Sequence, residues 1–174
     1  MSVQRSLRGA AAGAVAAAVW ALEQPFDKRL FDSDYDDLEL MGKLVTRGDQ
    51  WQAVGFALHV QNGAIFGALY AQLKPFLPGP APLRGLLAAL VENTALWPAA
   101  ELVDRHHPAR DELPKLAGDR RAFAQATVRH ALFGIVLGLL EGMLNDRSAD
   151  EPPEIPVSHN GHGNIEHAVA SASA

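Results

Sequence analysis

The chain has no cysteine among its 174 residues. That excludes disulfides, thiolate nucleophiles, zinc–thiolate sites and iron–sulfur clusters. It also lacks an excess of positive charge: 15 Lys and Arg against 20 Asp and Glu leave a formal charge of −5. A broadly basic, nucleic-acid-coating surface is therefore excluded, and no nucleic-acid partner is expected. Aromatic residues are sparse, at 7%. Phosphate-binding glycine loops, His-Glu-x-x-His zinc signatures and Gly-x-Ser-x-Gly nucleophile elbows do not occur. Ser and Thr are nearly absent from the apolar stretches. These absences favour a protein that is not an enzyme.

Alanine, leucine and glycine fill the space. Hydrophobic residues make up 48% of the chain and concentrate in four runs: Leu7 to Leu22, Trp51 to Leu73, Leu83 to Val103 and Phe123 to Leu144. None alternates as a strand would, and β-branched residues are few, so each reads as helix. About 20 residues of helix span roughly 30 Å, the thickness of a bilayer's hydrocarbon core. Trp51–Leu73 carries no Asp, Glu, Lys or Arg and is apolar around most of its circumference, where a soluble surface helix shows a polar face. A mean hydropathy of only −0.01 and the ionisable residues within the runs leave a soluble bundle as the competing reading. Acidic linkers and a polar tail account for most of that low average. The expectation is an all-α, four-transmembrane-helix bundle over residues 1–145 in the cell membrane, with the bilayer as its first partner. Residues 146–174, rich in Pro, Gly, Ser and His, read as a disordered tail.

Arg5 and Arg8 at the start of the first run resemble a signal peptide, but no small-x-small site follows, so this is read as the first helix, with Pro25 marking its exit. In the linker 23–50, Ser33 and Asp36 suggest a capping box. Leu38, Met41, Leu44 and Val45 then form one stripe of a short amphipathic helix. The acids of this linker, Asp27, Asp32, Asp34, Asp36, Asp37, Glu39 and Asp49, read as a solvated face. Pro98 predicts a kink in the third helix.

The second and fourth runs share a frame, His59-x3-Gly63-x3-Gly67 against His130-x3-Gly134-x3-Gly138. Leu7-Arg8-Gly9 echoes Leu83-Arg84-Gly85, Trp20 echoes Trp97, and Gly48-Asp49 echoes Gly118-Asp119. The spacing predicts two similar helical hairpins, about 7–73 and 83–144, as parallel repeats. Glycines four apart form a groove, and in a bilayer such grooves drive helix packing. Gly9 and Gly13, Gly63 and Gly67, and Gly134, Gly138 and Gly142 are the candidate packing rows. They fit a structural or accessory membrane component, a homo-oligomer or a subunit for another membrane protein. Lys and Arg are more numerous in linkers 23–50 and 104–122 than on the opposite side, which places those linkers in the cytoplasm.

The groups that could carry chemistry lie inside the runs. His59 and His130 fall at matching depths, each followed by a glycine one turn deeper. Two imidazoles beside glycine grooves suit a bis-histidine haem, with haem b as first candidate. A metal held by His59, His130 and Glu92 is a related option. Asn62, Glu92, Asn93 and Glu141 are the further intramembrane polar candidates. Glu92, flanked by Leu90 and Val91, must be protonated, paired or hydrated, which suits proton or ion permeation as a third reading. His59 and His130 are its expected partners, whereas Arg129 is expected to snorkel toward the headgroups.

Overall fold

The computed structural model describes residues 2–146; of the tail expected over 146–174, Asp146 instead ends a helical turn over Gly142–Asp146 and pairs with Lys74, and 147–174 lie outside the described residues. The described residues are all-helical, with no strand. The helices are α1 (Val3–Phe31), α2 (Asp37–Val45), α3 (Trp51–Leu73), α4 (Ala81–Leu96), α5 (Ala100–His106) and α6 (Arg120–Glu141). Two rods, Ala81–His106 and Arg120–Asp146, are long and apolar enough to cross a bilayer by length and composition.

Helix ends differ from expectation where tertiary partners hold the chain. Pro25 does not end α1, which continues to Phe31 with Pro25 inside it. The proline leaves a carbonyl one turn back without its donor, but Asp27, two residues on, is fixed by Arg129, and Lys28 reaches Asp36 at 3.1 Å. Asp36, not Ser33, caps α2: its side chain accepts the Glu39 N–H at 2.9 Å, while Ser33 Oγ accepts the Tyr35 N–H. At Pro98 the rod tightens into a 3₁₀ turn over Trp97–Ala99 before α5, as the missing proline N–H requires. Asp119 caps α6 by accepting from the N–H groups of Arg121 and Ala122, just after Gly118 takes a φ of 80°.

Small residues set the packing. α1 and α6 form an inner antiparallel pair; α3 lies against α1, and α4 against α6. A Cβ on Gly13 would strike the Gly63 carbonyl, and one on Gly67 the Gly9 carbonyl. In α4 and α6, a Cβ on Gly85 would strike the Gly134 carbonyl and one on Gly138 the Ala81 carbonyl. Gly85 therefore stands to α6 as Gly13, not Gly9, stands to α3. The sequence pairing of Gly9 with Gly85 is one turn out of register, because two glycines four residues apart offer equivalent local matches. Gly142 sits beside Ala81, to whose Cβ a methyl would come within 3.1 Å. The core between the helices is correspondingly slim: Ala12, Ala16, Ala17 and Ala89, with Trp20, Tyr70, Phe133 and Leu137.

α2 folds back over α3 by the same means, Gly42 meeting the Trp51 carbonyl and Gly55 the Leu38 carbonyl. The long linker 107–119 lies on the same end. His107 Nδ1 accepts the Ala109 N–H, so Nε2 carries the proton and donates to the Leu40 carbonyl at 3.0 Å. Lys43 bridges Glu39 and Glu112. The Asp104 carboxylate accepts from the Leu116 and Ala117 N–H groups.

The outward faces of the long helices are mostly apolar, while a few ion-paired charges are buried between them. Exposed large side chains on the long helices include Leu7, Val15, Leu22 and Phe26 on α1; Phe56, Ile65, Leu69 and Leu73 on α3; Leu83, Leu87, Val91 and Leu96 on α4; and Val128, Ile135 and Leu139 on α6. α3 carries no charged residue, and in the stretches Leu7–Phe26, Leu83–Leu96 and Ala122–Leu144 the charged side chains are buried or half-buried, Arg8, Glu23, Arg84 and Glu92 being half-buried. In the most apolar stretches of the two long rods only 17% and 39% of residues are buried, unlike a soluble core helix. Meanwhile Asp27, Arg129 and Glu141 are 1% exposed or less.

Candidate functional site: a polar chamber between α3 and α4

α3 and α4 flank the inner pair and scarcely meet. The slot between them holds a chamber of about 280 Å³, lined by Trp20, Asp37, His59, Asn62, Glu92 and His130 together with Tyr35, Phe66 and Phe133. Glu92 reaches it from α4, His59 and Asn62 from α3, His130 from α6 and Trp20 from α1. The glycines one turn beyond the histidines, Gly63 and Gly134, let the helix backbones close below.

The structure brings Glu92 to His130: Oε2 lies 2.9 Å from Nε2. His130 Nδ1 lies 2.7 Å from the Ala126 carbonyl oxygen. A carbonyl only accepts, so Nδ1 carries a proton. Nε2 and Oε2 then need one further proton between them, either as imidazolium and carboxylate or as imidazole and carboxylic acid. In both forms the pair is neutral overall and holds one transferable proton.

His59 stands apart. It is 5% exposed, and neither ring nitrogen has a hydrogen-bond partner of good geometry beyond a weak approach to the backbone of Ala17. The Trp20 indole packs edge-on against both imidazoles, with ring centroids 4.9 Å from His59 and 4.6 Å from His130. Its own Nε1–H is buried without an acceptor. Asn93, from the same α4 stretch as Glu92, turns to α6 and donates to Thr127 Oγ1 at 3.1 Å.

This geometry does not suit haem or a metal. Both nitrogens of His130 are engaged, and Trp20 packs where a macrocycle would have to reach both imidazoles. Among the described residues no group of three or more His, Asp or Glu converges as a metal site; of the expected trio only His130 and Glu92 meet.

Two charged clusters flank the chamber. At the linker end Arg129, expected at the headgroups, is fully buried. It makes a bidentate pair with Asp27, donates through NH1 to Asp37 at 2.6 Å and through NH2 to the Tyr35 carbonyl at 3.2 Å. Its helical rotation points inward because His130, its neighbour, is turned toward α4. Gln125 Nε2 donates to Asp27 at 2.9 Å, and the Tyr35 hydroxyl donates to Asp37. Asp27 and Asp37 are therefore anchors of the bundle, not part of a solvated face. Burial and the neighbouring Asp37 carboxylate push the Tyr35 phenol well above its ordinary range.

At the opposite end Glu141 lies 2.5 Å from Lys74 Nζ, which also donates to Asp146 at 2.7 Å. Asn145 donates to Glu141 and to the Arg5 carbonyl, tying the ends of α1, α3 and α6. Phe133 and Leu137 occupy the buried face of α6 between His130 and Glu141. No continuous row of polar side chains links those two residues.

Sequence reasoning singled out His59, Asn62, Glu92 and His130, all at the chamber, but missed Trp20, Asp27, Asp37, Gln125 and Lys74. Arg129 offered the one available signal: a cation inside an apolar run requires a buried acid, and the first linker, residues 23–50, held eight candidates. The chain matches no protein-family model, no curated protein and no solved structure.

Proposed function

We propose that the protein is a multi-pass membrane protein of four spans, built as two similar helical hairpins, that binds a small ligand in the chamber walled by His59, Asn62, Glu92 and His130. The observation that carries this reading is the reversal of polarity. Ion pairs are buried between the helices, and uncharged side chains dominate the outward faces of α1, α3 and α6 over about 20 residues each, roughly 30 Å, and of α4 from Leu83 to Leu96. In water such a surface is an aggregation liability; in hydrocarbon it is the expected exterior, and buried ionisable groups mark the functional interior. The repeat is supported by the equivalent contacts of Gly13 with Gly63 and of Gly85 with Gly134. An accessory role through glycine-lined faces has less support, because Gly9, Gly13, Gly63, Gly67, Gly85, Gly134 and Gly138 close against one another within the chain. Both long linkers lie at one end of the bundle, and their Lys and Arg excess favours the cytoplasmic side.

The absence of native cysteine makes the test direct. The protein stays with membranes after an alkaline carbonate wash. Single cysteines placed at Leu69, Val91 and Leu139 resist a water-soluble maleimide in intact membranes, while one at Asp111 reacts. Release into the wash, or equal reaction at all four positions, overturns the membrane reading.

A further inference from the structure

The chamber continues into a second space. A groove of about 370 Å³, walled by Phe66, Tyr70 and Leu73 of α3 with Phe76 and Leu77 just beyond it and by Leu87, Ala88 and Val91 of α4, shares Phe66 and Glu92 with the chamber. The chamber end of the α3–α4 slot thus carries the polar groups, set in a largely apolar wall, and the other end is almost purely apolar. Four helices present hydrocarbon faces, so the slot is reached from the bilayer side.

The chamber's chemistry selects the head that fits. Its charged groups already have partners: Arg129 is shared by Asp27 and Asp37, and Glu92 shares a proton with His130. A phosphate would find no free cation, and a quaternary ammonium no free carboxylate. The groups left over are uncharged. Trp20 Nε1–H is buried without a partner, the His59 ring has no more than a weak approach to the Ala17 backbone, which leaves at least one ring nitrogen unpaired, and the Asn62 amide opens on the chamber. Buried polar groups left unpaired are costly and point to an acceptor or donor that completes them.

We infer that the slot takes one chain-bearing amphiphile with an uncharged hydroxyl head, the head beside Asn62, His59 and the Glu92–His130 pair and the hydrocarbon tail in the groove between Phe66 and Val91. This deepens the binding reading above and rests on the chamber, not on the number of spans. A hydroxyl both donates and accepts, so it meets the mixed set of neutral groups without displacing either ion pair. The tail gains apolar contact along about two helical turns of α3.

The test uses the full chain in lipid nanodiscs and four diazirine probes of equal chain length: a fatty alcohol, a fatty acid, an alkyl phosphate and an alkyl trimethylammonium. After irradiation, mass spectrometry maps the labelled residues. The alcohol is expected to label α3 and α4 between Phe66 and Val91 several-fold more than the other three. Asn62→Leu should reduce that labelling about fivefold, the equivalent of one neutral hydrogen bond. Ala88→Trp, which fills the groove, should abolish it, while Leu139→Trp on the outward face of α6 should not. Far-UV circular dichroism checks that each variant is folded. Equal labelling by all four probes, or labelling spread over the outward faces, overturns the inference. So does a folded Ala88→Trp protein that labels normally. Selective labelling of a protein that the carbonate wash releases supports the inference and removes only the membrane reading.

Discussion

Replacing Arg129 with methionine removes the one guanidinium that two buried carboxylates share. The side chain is completely buried; it grips both oxygens of Asp27, one of Asp37 and the Tyr35 carbonyl. Methionine fills much of the volume, so a cavity contributes little. The cost comes from leaving Asp27 and Asp37 as neighbouring like charges without a counter-ion. Breaking a buried pair from one side costs about 3–5 kcal/mol, two to three decades in the unfolding equilibrium. Asp27→Asn in the Arg129→Met background removes one stranded charge and keeps a side chain that Gln125 can still bond. Asp37 then retains the Tyr35 hydroxyl as donor, so the double variant should recover at least about 1 kcal/mol, the cost of one unsatisfied buried group. In the Arg129 background the same Asp27→Asn change should destabilise. Unfolding of the purified protein by SDS titration in mixed micelles, followed by far-UV circular dichroism, reads all four states. A loss below about 1 kcal/mol for Arg129→Met, or an Asp27→Asn effect of the same sign and size in both backgrounds, refutes the reasoning.

Other changes probe the remaining contacts. Gly63→Ala places a methyl 2.7 Å from the Gly13 carbonyl and against the Ala17 methyl, forcing α1 and α3 apart at about 1–3 kcal/mol. Gly48→Ala, whose nearest neighbour is 3.6 Å away, should be nearly neutral in the same titration. Glu92→Gln should be tolerated, because an amide can donate to His130 Nε2, whereas Glu92→Leu leaves that nitrogen unpartnered at about 1–3 kcal/mol; equal stability of the two variants contradicts the shared-proton geometry. The Tyr35 phenol, held neutral by burial and by Asp37, titrates above its unfolded value of about 10. Folding therefore favours the protonated form. This stabilisation is whole below about pH 10 and fades as pH rises through the folded value. Phenolate absorbance in alkaline solution should show a tyrosine that ionises only on unfolding and is missing from Tyr35→Phe.

What the sequence determined by itself is local. The uncharged, Ala- and Leu-rich composition of Trp51–Leu73 states helix from local propensity alone, and Pro98 states a break because a proline lacks its N–H. The glycine rows announce close helix contact without saying which helix or which turn: Gly9 and Gly13 are alike to a local reading, and only packing against α3 shows which of them corresponds to Gly85. The tertiary structure decided which way ionisable groups point. A rotation of about 100° separates neighbouring residues on a helix, so the orientation of Arg129 follows from how α6 sits on α1 and α2. Its partners Asp27 and Asp37 lie about a hundred residues earlier in the chain. Pro25 failed as a stop for the same reason: charge pairs to a distant helix outweighed a local propensity. The chamber, too, is a property of the spacing between α3 and α4, which no segment of the chain encodes alone.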